Sequence, residues 1–358
     1  MTALTCQAAT DSQNDTFREL PVEEHFEKWM VFHGRSYADE SEKEKRFNIF
    51  KKNKEYVESF NNAGNHTFTL GINAFSDMTD EEFADIYLRR NCSRTASEHR
   101  PRRPSGNKPL IEPHNGPFHN VSLSALPVAV DWVRLGAVTS VKNQGSCGCC
   151  WAFATVAAVE GLNKIHYGSL VDLSEQQLID CEPYSEGCGG GSMDDAYDYV
   201  VENDRLAKEK DYPYVGQKRT CRDDKVESVA SIKGYASVPS LHNEAALLAA
   251  VAGQPVSASI AFGDDYVPRF KNYRGGVYSP DPRGYCGDPK GNFHDIAIVG
   301  YLPSYWIIKN SWGTGWGEGG YMRLARQANV VGPCGIFREA VHPIPYPIDA
   351  KPSPPMAS

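Results

Sequence analysis

The residue best suited to covalent chemistry in this chain is a cysteine placed where a helix should begin. Cys150 ends the stretch Lys142-Asn143-Gln144-Gly145-Ser146-Cys147-Gly148-Cys149-Cys150 and is followed at once by an apolar run that starts Trp151-Ala152-Phe153. A thiol reacts as the thiolate, and the aligned dipoles and N–H groups of a helix N-terminus favour that anion. A nucleophile also needs a base, a group that orients the base and a donor for the oxyanion. Far downstream, His294 lies in Asn292-Phe293-His294-Asp295-Ile296-Ala297-Ile298-Val299-Gly300, which predicts a buried strand. Asn310 lies in Trp306-Ile307-Ile308-Lys309-Asn310-Ser311-Trp312-Gly313, a strand end running into a turn. Each type has a plainer use: cysteine as a disulfide half, histidine in a core, asparagine in a turn.

The bulk properties narrow the setting. A chain of 358 residues has room for more than one domain and a sizeable core. A net charge of -8, with no basic helix or basic face, excludes a nucleic-acid footprint. No apolar run reaches the length of a membrane span. Ten cysteines, most in one half, predict disulfides and an oxidising compartment: the secretory pathway, a vacuole or lysosome, or the extracellular space. Met1 to Ala9 lacks the basic residues and apolar length of a signal peptide, so the start reads as truncated unless the protein is made in the cytosol.

Taken in order, residues 1–20 form an N-terminal segment. Residues 21–87 begin with apolar residues at helical spacing (Phe26, Trp29, Met30, then Phe47, Phe50, Val57, Phe60) and predict two amphipathic helices. Residues 88–125, rich in Arg, Pro, Ser and Gly, read as a protease-accessible linker. Sequons at Asn14, Asn65, Asn91 and Asn120 all precede the cysteine-rich half and predict glycosylation there. Residues 126–342 read as a compact domain. Its helical half holds a buried helix from Trp151 to about Tyr167 and another opened by Ser174-Glu175-Gln176-Gln177, and a β-rich half follows Lys233. Residues 343–358 read as a disordered proline-rich tail.

Two motifs sharpen this reading. Glu42, Arg46, Phe50, Asn53, Val57 and Asn61 form an interrupted helical pattern, and Gly71-Ile72-Asn73-Ala74-Phe75-Ser76-Asp77 follows it. With Cys150, His294, Asn310 and the run Asn310-Ser311-Trp312-Gly313-Thr314-Gly315-Trp316-Gly317, the chain from about Pro21 to Pro343 resembles a papain-like cysteine protease with its inhibitory propeptide. The resemblance implies an α+β fold, with a helical left lobe carrying Cys150, a β-barrel right lobe carrying His294 and Asn310, and a helical propeptide in the cleft. It implies a cysteine endopeptidase made as a zymogen and released when acid weakens carboxylate pairs and the linker is cut. Cys150 is then the nucleophile and His294 its base and acid. Asn310 orients His294, Trp312 shields their hydrogen bond, and Gln144 donates to the oxyanion. Cys147 pairs with Cys188, Cys181 with Cys221, and Cys286 with Cys334.

Gly190 and Gly191 fit a backbone edge for substrate, and Met193, Ser259, Asp295 and Glu339 match positions that line the family's S2 pocket. Two carboxylates there predict acceptance of Arg or Lys at P2 beside bulky apolar residues. This sequence departs from the family pattern at Cys149, a thiol where serine is commoner, and at Phe293 and Asp295 around His294. Strand alternation means that Asp295 need not touch the ring His294 presents to Cys150, although its charge can raise the histidine's pKa from nearby, and Cys149 predicts oxidative inactivation beside the nucleophile. No metal or cofactor is expected, because Cys147, Cys149 and Cys150 lack zinc-ligand spacing. Expected partners are peptide and protein substrates, the chain's own propeptide and cystatin-type inhibitors, with a monomeric enzyme. The alternative is a papain-fold binding or storage protein with impaired catalysis.

Overall fold

The computed structural model describes residues 20–88, 122–239, 244–279, 281, 285–287, 292–326 and 332–348. The two predicted helices form as α1 (Val22–Phe32) and α2 (Glu40–Asn62). Phe26, Trp29 and Phe50 bury their rings against one another to make a small propeptide core. Asp39 caps α2 by accepting from the Glu42 N–H at 2.9 Å. The interrupted motif has a task at each position: Arg46 bonds Glu42 and, at 2.8 Å, Glu82; Asn61 exchanges two hydrogen bonds with the backbone of Leu70. A short strand β1 (Phe68–Leu70) and a helix α3 (Asp80–Tyr87) complete the propeptide. Thr79 and Glu82 cap α3 reciprocally, as a capping box. Leu88, assigned to the linker from sequence, is buried with this body. Residues 89–121 of the predicted linker and three of the four sequons lie outside the described residues, the linker's last residues form a short turn at Leu123–Ala125, and Asn65 is exposed.

The peptidase region opens with β2 (Val130–Asp131) and continues with helices α4 (Cys150–Tyr167), α5 (Glu175–Cys181) and α6 (Met193–Asn203). These helices pack around Trp151, Val156, Leu162, Leu178, Tyr197 and Val200 to form the helical lobe. Ser174 caps α5 through the Gln177 N–H, as its sequence predicts. The second half holds β3 (Gly234–Ser237), α7 (Glu244–Gly253), β4 (Val256–Phe262), α8 (Val267–Lys271), β5 (Tyr273–Tyr278), β6 (Asn292–Leu302), β7 (Tyr305–Lys309), β8 (Tyr321–Ala325) and β9 (Ala340–Ile344). The sheet runs β1-β5-β8-β7-β6-β4-β9-β3, with β2 on β6.

Two expectations require correction. The β-rich half contains a helix, α7, whose Ala- and Leu-rich sequence favours helix and buries Leu247, Leu248 and Val251. The proline-rich tail begins later than residue 343. Pro343 and Ile344 lie in β9 paired with β3, and the Tyr346 carbonyl accepts the Tyr167 hydroxyl at 3.2 Å. No described helix is long and apolar enough to cross a membrane.

The propeptide shares a core with the barrel. Val57, Phe60, Phe68, Leu70, Phe75 and Phe83 pack in one cluster with Phe262, Phe270, Trp312 and Trp316. β1 adds an antiparallel strand to β5, where Thr69 pairs with Gly275 and Leu70 with Tyr273.

Candidate active site

Cys150 is the first residue of α4, on the helical lobe, with its thiol buried. β6 and the end of β7 bring His294 and Asn310 together from the other lobe. His294 Nε2 donates to Asn310 Oδ1 at 2.8 Å, and that oxygen also accepts from Ser311 N at 2.7 Å. The hydrogen bond fixes the proton on Nε2 and leaves Nδ1 as the ring atom available for proton exchange. Trp312 lies over the imidazole with ring centroids 4.4 Å apart, which keeps water from the His294–Asn310 pair.

Gln144 is fully buried and held at both ends of its amide. Its Oε1 accepts from Ser311 Oγ at 2.6 Å, and its Nε2 donates to the Cys147 carbonyl at 2.8 Å. An amide fixed this way presents its second N–H in a constant direction, as an oxyanion donor must. Ser311 was not singled out from sequence, although it directly follows Asn310.

The three disulfides are Cys147–Cys188, Cys181–Cys221 and Cys286–Cys334. Asp223 lies near Cys181 and Cys221, but their mutual bond removes those sulfurs as metal ligands. Cys149 points away from catalysis. It is fully buried, its sulfur is 3.3 Å from the Tyr214 hydroxyl, and burial pushes its thiol well above the ordinary range. Both the burial and the raised thiol work against the oxidation expected of it.

Asp295 lies beside the nucleophile. Its Oδ2 is 4.0 Å from Cys150 Sγ and the residue is 1% exposed, so the carboxyl faces the nucleophile across the closed lobes. Ser259 lies opposite Asp295 in the β4–β6 ladder, and its N–H donates to the Glu339 carbonyl at 2.9 Å. The Ser259 hydroxyl, 5% exposed, has no hydrogen-bond partner among the described residues. Asp194 follows the buried Met193 at the start of α6. Desolvation first, then the charges of Asp195, Asp198 and Asp295, raise it to about 6, while the residue keeps an exposed side. Gly190, at φ 125, requires glycine, and a Cβ on Gly191 would meet the Trp151 ring at 2.5 Å.

Behind the site lies a charge cluster that sequence reading missed. Lys142 Nζ is 3.0 Å from Glu160 Oε1, 2.8 Å from Glu175 Oε1 and 2.7 Å from Asp172 Oδ1. Burial works against the ammonium, but the charges of Glu175 and Glu160 overcome it and hold Lys142 protonated. Lys309 reaches Thr139 Oγ1 at 2.9 Å, and Thr139 in turn donates to Glu160. A cavity of about 20 Å³, enough for roughly one water, lies among Lys142, Glu175, Asp295, Lys309 and Asn310. A glutamate inside the apolar α4 run was the available signal.

The propeptide closes the site. Phe75, Phe83 and Tyr87 set their rings 5.5, 5.2 and 5.8 Å from Trp312, and a Cβ on Gly148 would lie 3.7 Å from the Ile86 carbonyl.

A thiol at a helix start, an imidazole held by an asparagine in the facing lobe and a helical domain across both define a cysteine protease zymogen. The profile of the papain family cysteine proteases matches residues 126–344, and that of the cathepsin propeptide inhibitor domain matches residues 26–83. The chain belongs to the papain family. It is 44% identical over 325 residues to the senescence-specific cysteine protease SAG39 of Oryza sativa subsp. japonica, covering 88% of each chain. Among solved structures it resembles the recombinant stem bromelain precursor, with TM-score 0.79 and 38% identity, over 92% of this chain and all of that one. The proform of the ragweed pollen allergen Amb a 11 gives TM-score 0.78 and 36% identity, over 93% and 98% of the two chains.

Proposed function

We propose that peptide hydrolysis runs through Cys150, His294, Asn310 and Gln144. The observation that carries this is the 2.8 Å His294–Asn310 hydrogen bond beneath Trp312, which serves an imidazole that must hold one orientation through two proton transfers. Cys150 as thiolate attacks the scissile carbonyl, and the oxyanion is met by the Gln144 side-chain N–H and the Cys150 backbone N–H. His294 gives its proton to the departing amine, then takes one from the water that cleaves the thioester. The intact set disfavours the binding-protein alternative. An epoxide-type thiol inhibitor is expected to modify Cys150 alone in the acid-matured protein and to abolish peptidase activity. Label on Cys149, or activity that survives complete labelling, would overturn the assignment.

The acidic wall made by Asp295 and Asp194 supports a P2 preference that includes Arg and Lys. Asp194 carries its charge above about pH 6 and loses it below, so the ratio of P2-Arg to P2-Leu cleavage should climb as pH rises from 5 to 7. In Asp295→Ala that ratio should fall at every pH, by about tenfold at pH 7. A peptide library yielding only Leu, Val or Phe at P2 in the native enzyme would sink this reading.

Release from the zymogen rests on the same electrostatics. Burial alone would raise Glu82, but the Thr79 N–H and Arg46 hold it below the usual carboxylate range. The stability it lends the propeptide frame is therefore present at neutral pH and lost as pH falls through that depressed value. We assign the protein to the secretory pathway or a vacuole-like compartment, with glycans on the propeptide. The mature enzyme is read as a monomer open to cystatin-type inhibitors.

A further inference from the structure

We propose that the peptidase domain recognises its own inhibitor domain through one buried cation, Lys271, for which Asp80 and Asn53 of the propeptide are the matched partners. The Lys271 side chain is 0% exposed in the zymogen. Its Nζ lies 2.6 Å from Asp80 Oδ1, 3.1 Å from Asn53 Oδ1 and 3.1 Å from the Met78 carbonyl. All three acceptors belong to the propeptide, while Lys271 ends α8 of the peptidase region. Burial lowers the Lys271 pKa, and the charge of Asp80 is the first to oppose that effect.

The acceptors are built into place. The Thr79–Glu82 capping box fixes the first turn of α3, where Asp80 sits, and Arg46 ties Glu82 to α2. Asn53 spends its amide N–H groups on the Ser76 and Met78 carbonyls, at 2.9 and 3.0 Å, which turns its Oδ1 toward Lys271. From the peptidase side, the Lys271 carbonyl accepts from Asn73 Nδ2 and the Asn272 carbonyl from Gly71 N, each at 2.8 Å. The backbone is thus locked in register on both sides of the ammonium.

Such an arrangement discriminates. The aromatic packing of Phe75, Phe83 and Tyr87 on Trp312 would accept any helical propeptide of similar shape. A buried ammonium rejects one that lacks an acidic residue at the start of its last helix, because an uncompensated buried charge is strongly unfavourable. The partner this surface fits is a propeptide-type helical domain with a carboxylate at that position and an amide oxygen one helix away.

The test uses the full-length zymogen at neutral pH and reads the rate at which an epoxide-type probe labels Cys150, which measures how often the propeptide leaves the cleft. Asp80→Asn and Lys271→Met should each raise that rate, by about ten- to a hundredfold given that Asp80 is partly exposed. The double variant should rise by less than the product of the two, because removing both partners leaves no charge stranded. Peptidase activity after acid maturation should stay within about twofold of the unmodified enzyme in every variant. Unchanged labelling in both single variants, or effects that multiply in the double, would overturn the proposal. So would a matured Lys271→Met enzyme whose activity falls in step, since that would give Lys271 to the peptidase domain's own folding.

Discussion

With alanine at His294, kcat/KM on a fluorogenic peptide should fall by about 10⁴-fold, the upper range for loss of a general acid and base. The imidazole is held through Nε2 to Asn310 beneath Trp312, so it makes its proton transfers from one fixed orientation that a water molecule would lack. The same ring must also accept the thiol proton before attack, which is why both halves of the reaction suffer. The variant cannot mature itself, so its linker is cut with a trace of active enzyme. Its melting temperature should stay near that of the parent, because the ring leaves a space against Trp312 and Phe270 but no unpaired charge. A loss smaller than tenfold would mean that another group moves the proton.

The second large effect is on stability. Lys142→Met should lower the melting temperature by roughly 10 °C, corresponding to about 3–5 kcal/mol for a broken buried ion pair in a domain this size. Glu160 and Glu175 are 1% and 2% exposed, and Lys142 is the cation that neutralises both. Without it Glu160 loses its ion pair, and Glu175, which burial already raises to about 8, loses the cation that most opposes that shift. Because Glu160 sits on the helix that carries Cys150, and Lys309 next to Asn310, activity should fall along with stability. Adding Glu160→Gln and Glu175→Gln should recover most of the lost melting temperature, since the stranded charges are then gone. A drop of under about 3 °C in the single variant, seen by thermal unfolding, would show that the cluster is solvated rather than sealed.

What the sequence made legible was local chemistry. A cysteine before an apolar helical run, a serine three residues before a glutamine and a propeptide helix with regularly spaced charges each act through the next turn or two of chain. They reappear in place. The catalytic partners were recognisable by motif, but their meeting depends on β6 and β7 lying side by side, which no single segment encodes.

Asp295 shows the limit most clearly. Alternation along β6 concerns only the strand itself and says nothing of the helical lobe that brings Cys150 Sγ to 4.0 Å from the Asp295 carboxyl. The Lys142, Glu160 and Glu175 cluster is hidden for a related reason: three distant segments bury it together, and only Glu160, inside an apolar helix, departs from the look of a surface charge. Lys271 likewise acquires its role only when α2 and α3 arrive from the propeptide. In the opposite direction, α7 was readable from its alanines and leucines, and was lost because the surrounding strands set the expectation.

The pairing of β1 with β5 has a further consequence for the life of the mature enzyme. Cutting away the propeptide removes a strand and leaves backbone groups of Tyr273, Gly275 and Val277 without the partners they hold in the zymogen. A bare strand edge is a template for sticking to other chains. Here the edge is short, bent at Gly276 with φ 92, and carries the cationic Arg274, features that discourage a second copy from docking in register. The edge that the propeptide covers in the zymogen is therefore one whose own irregularity limits strand pairing once it is uncovered.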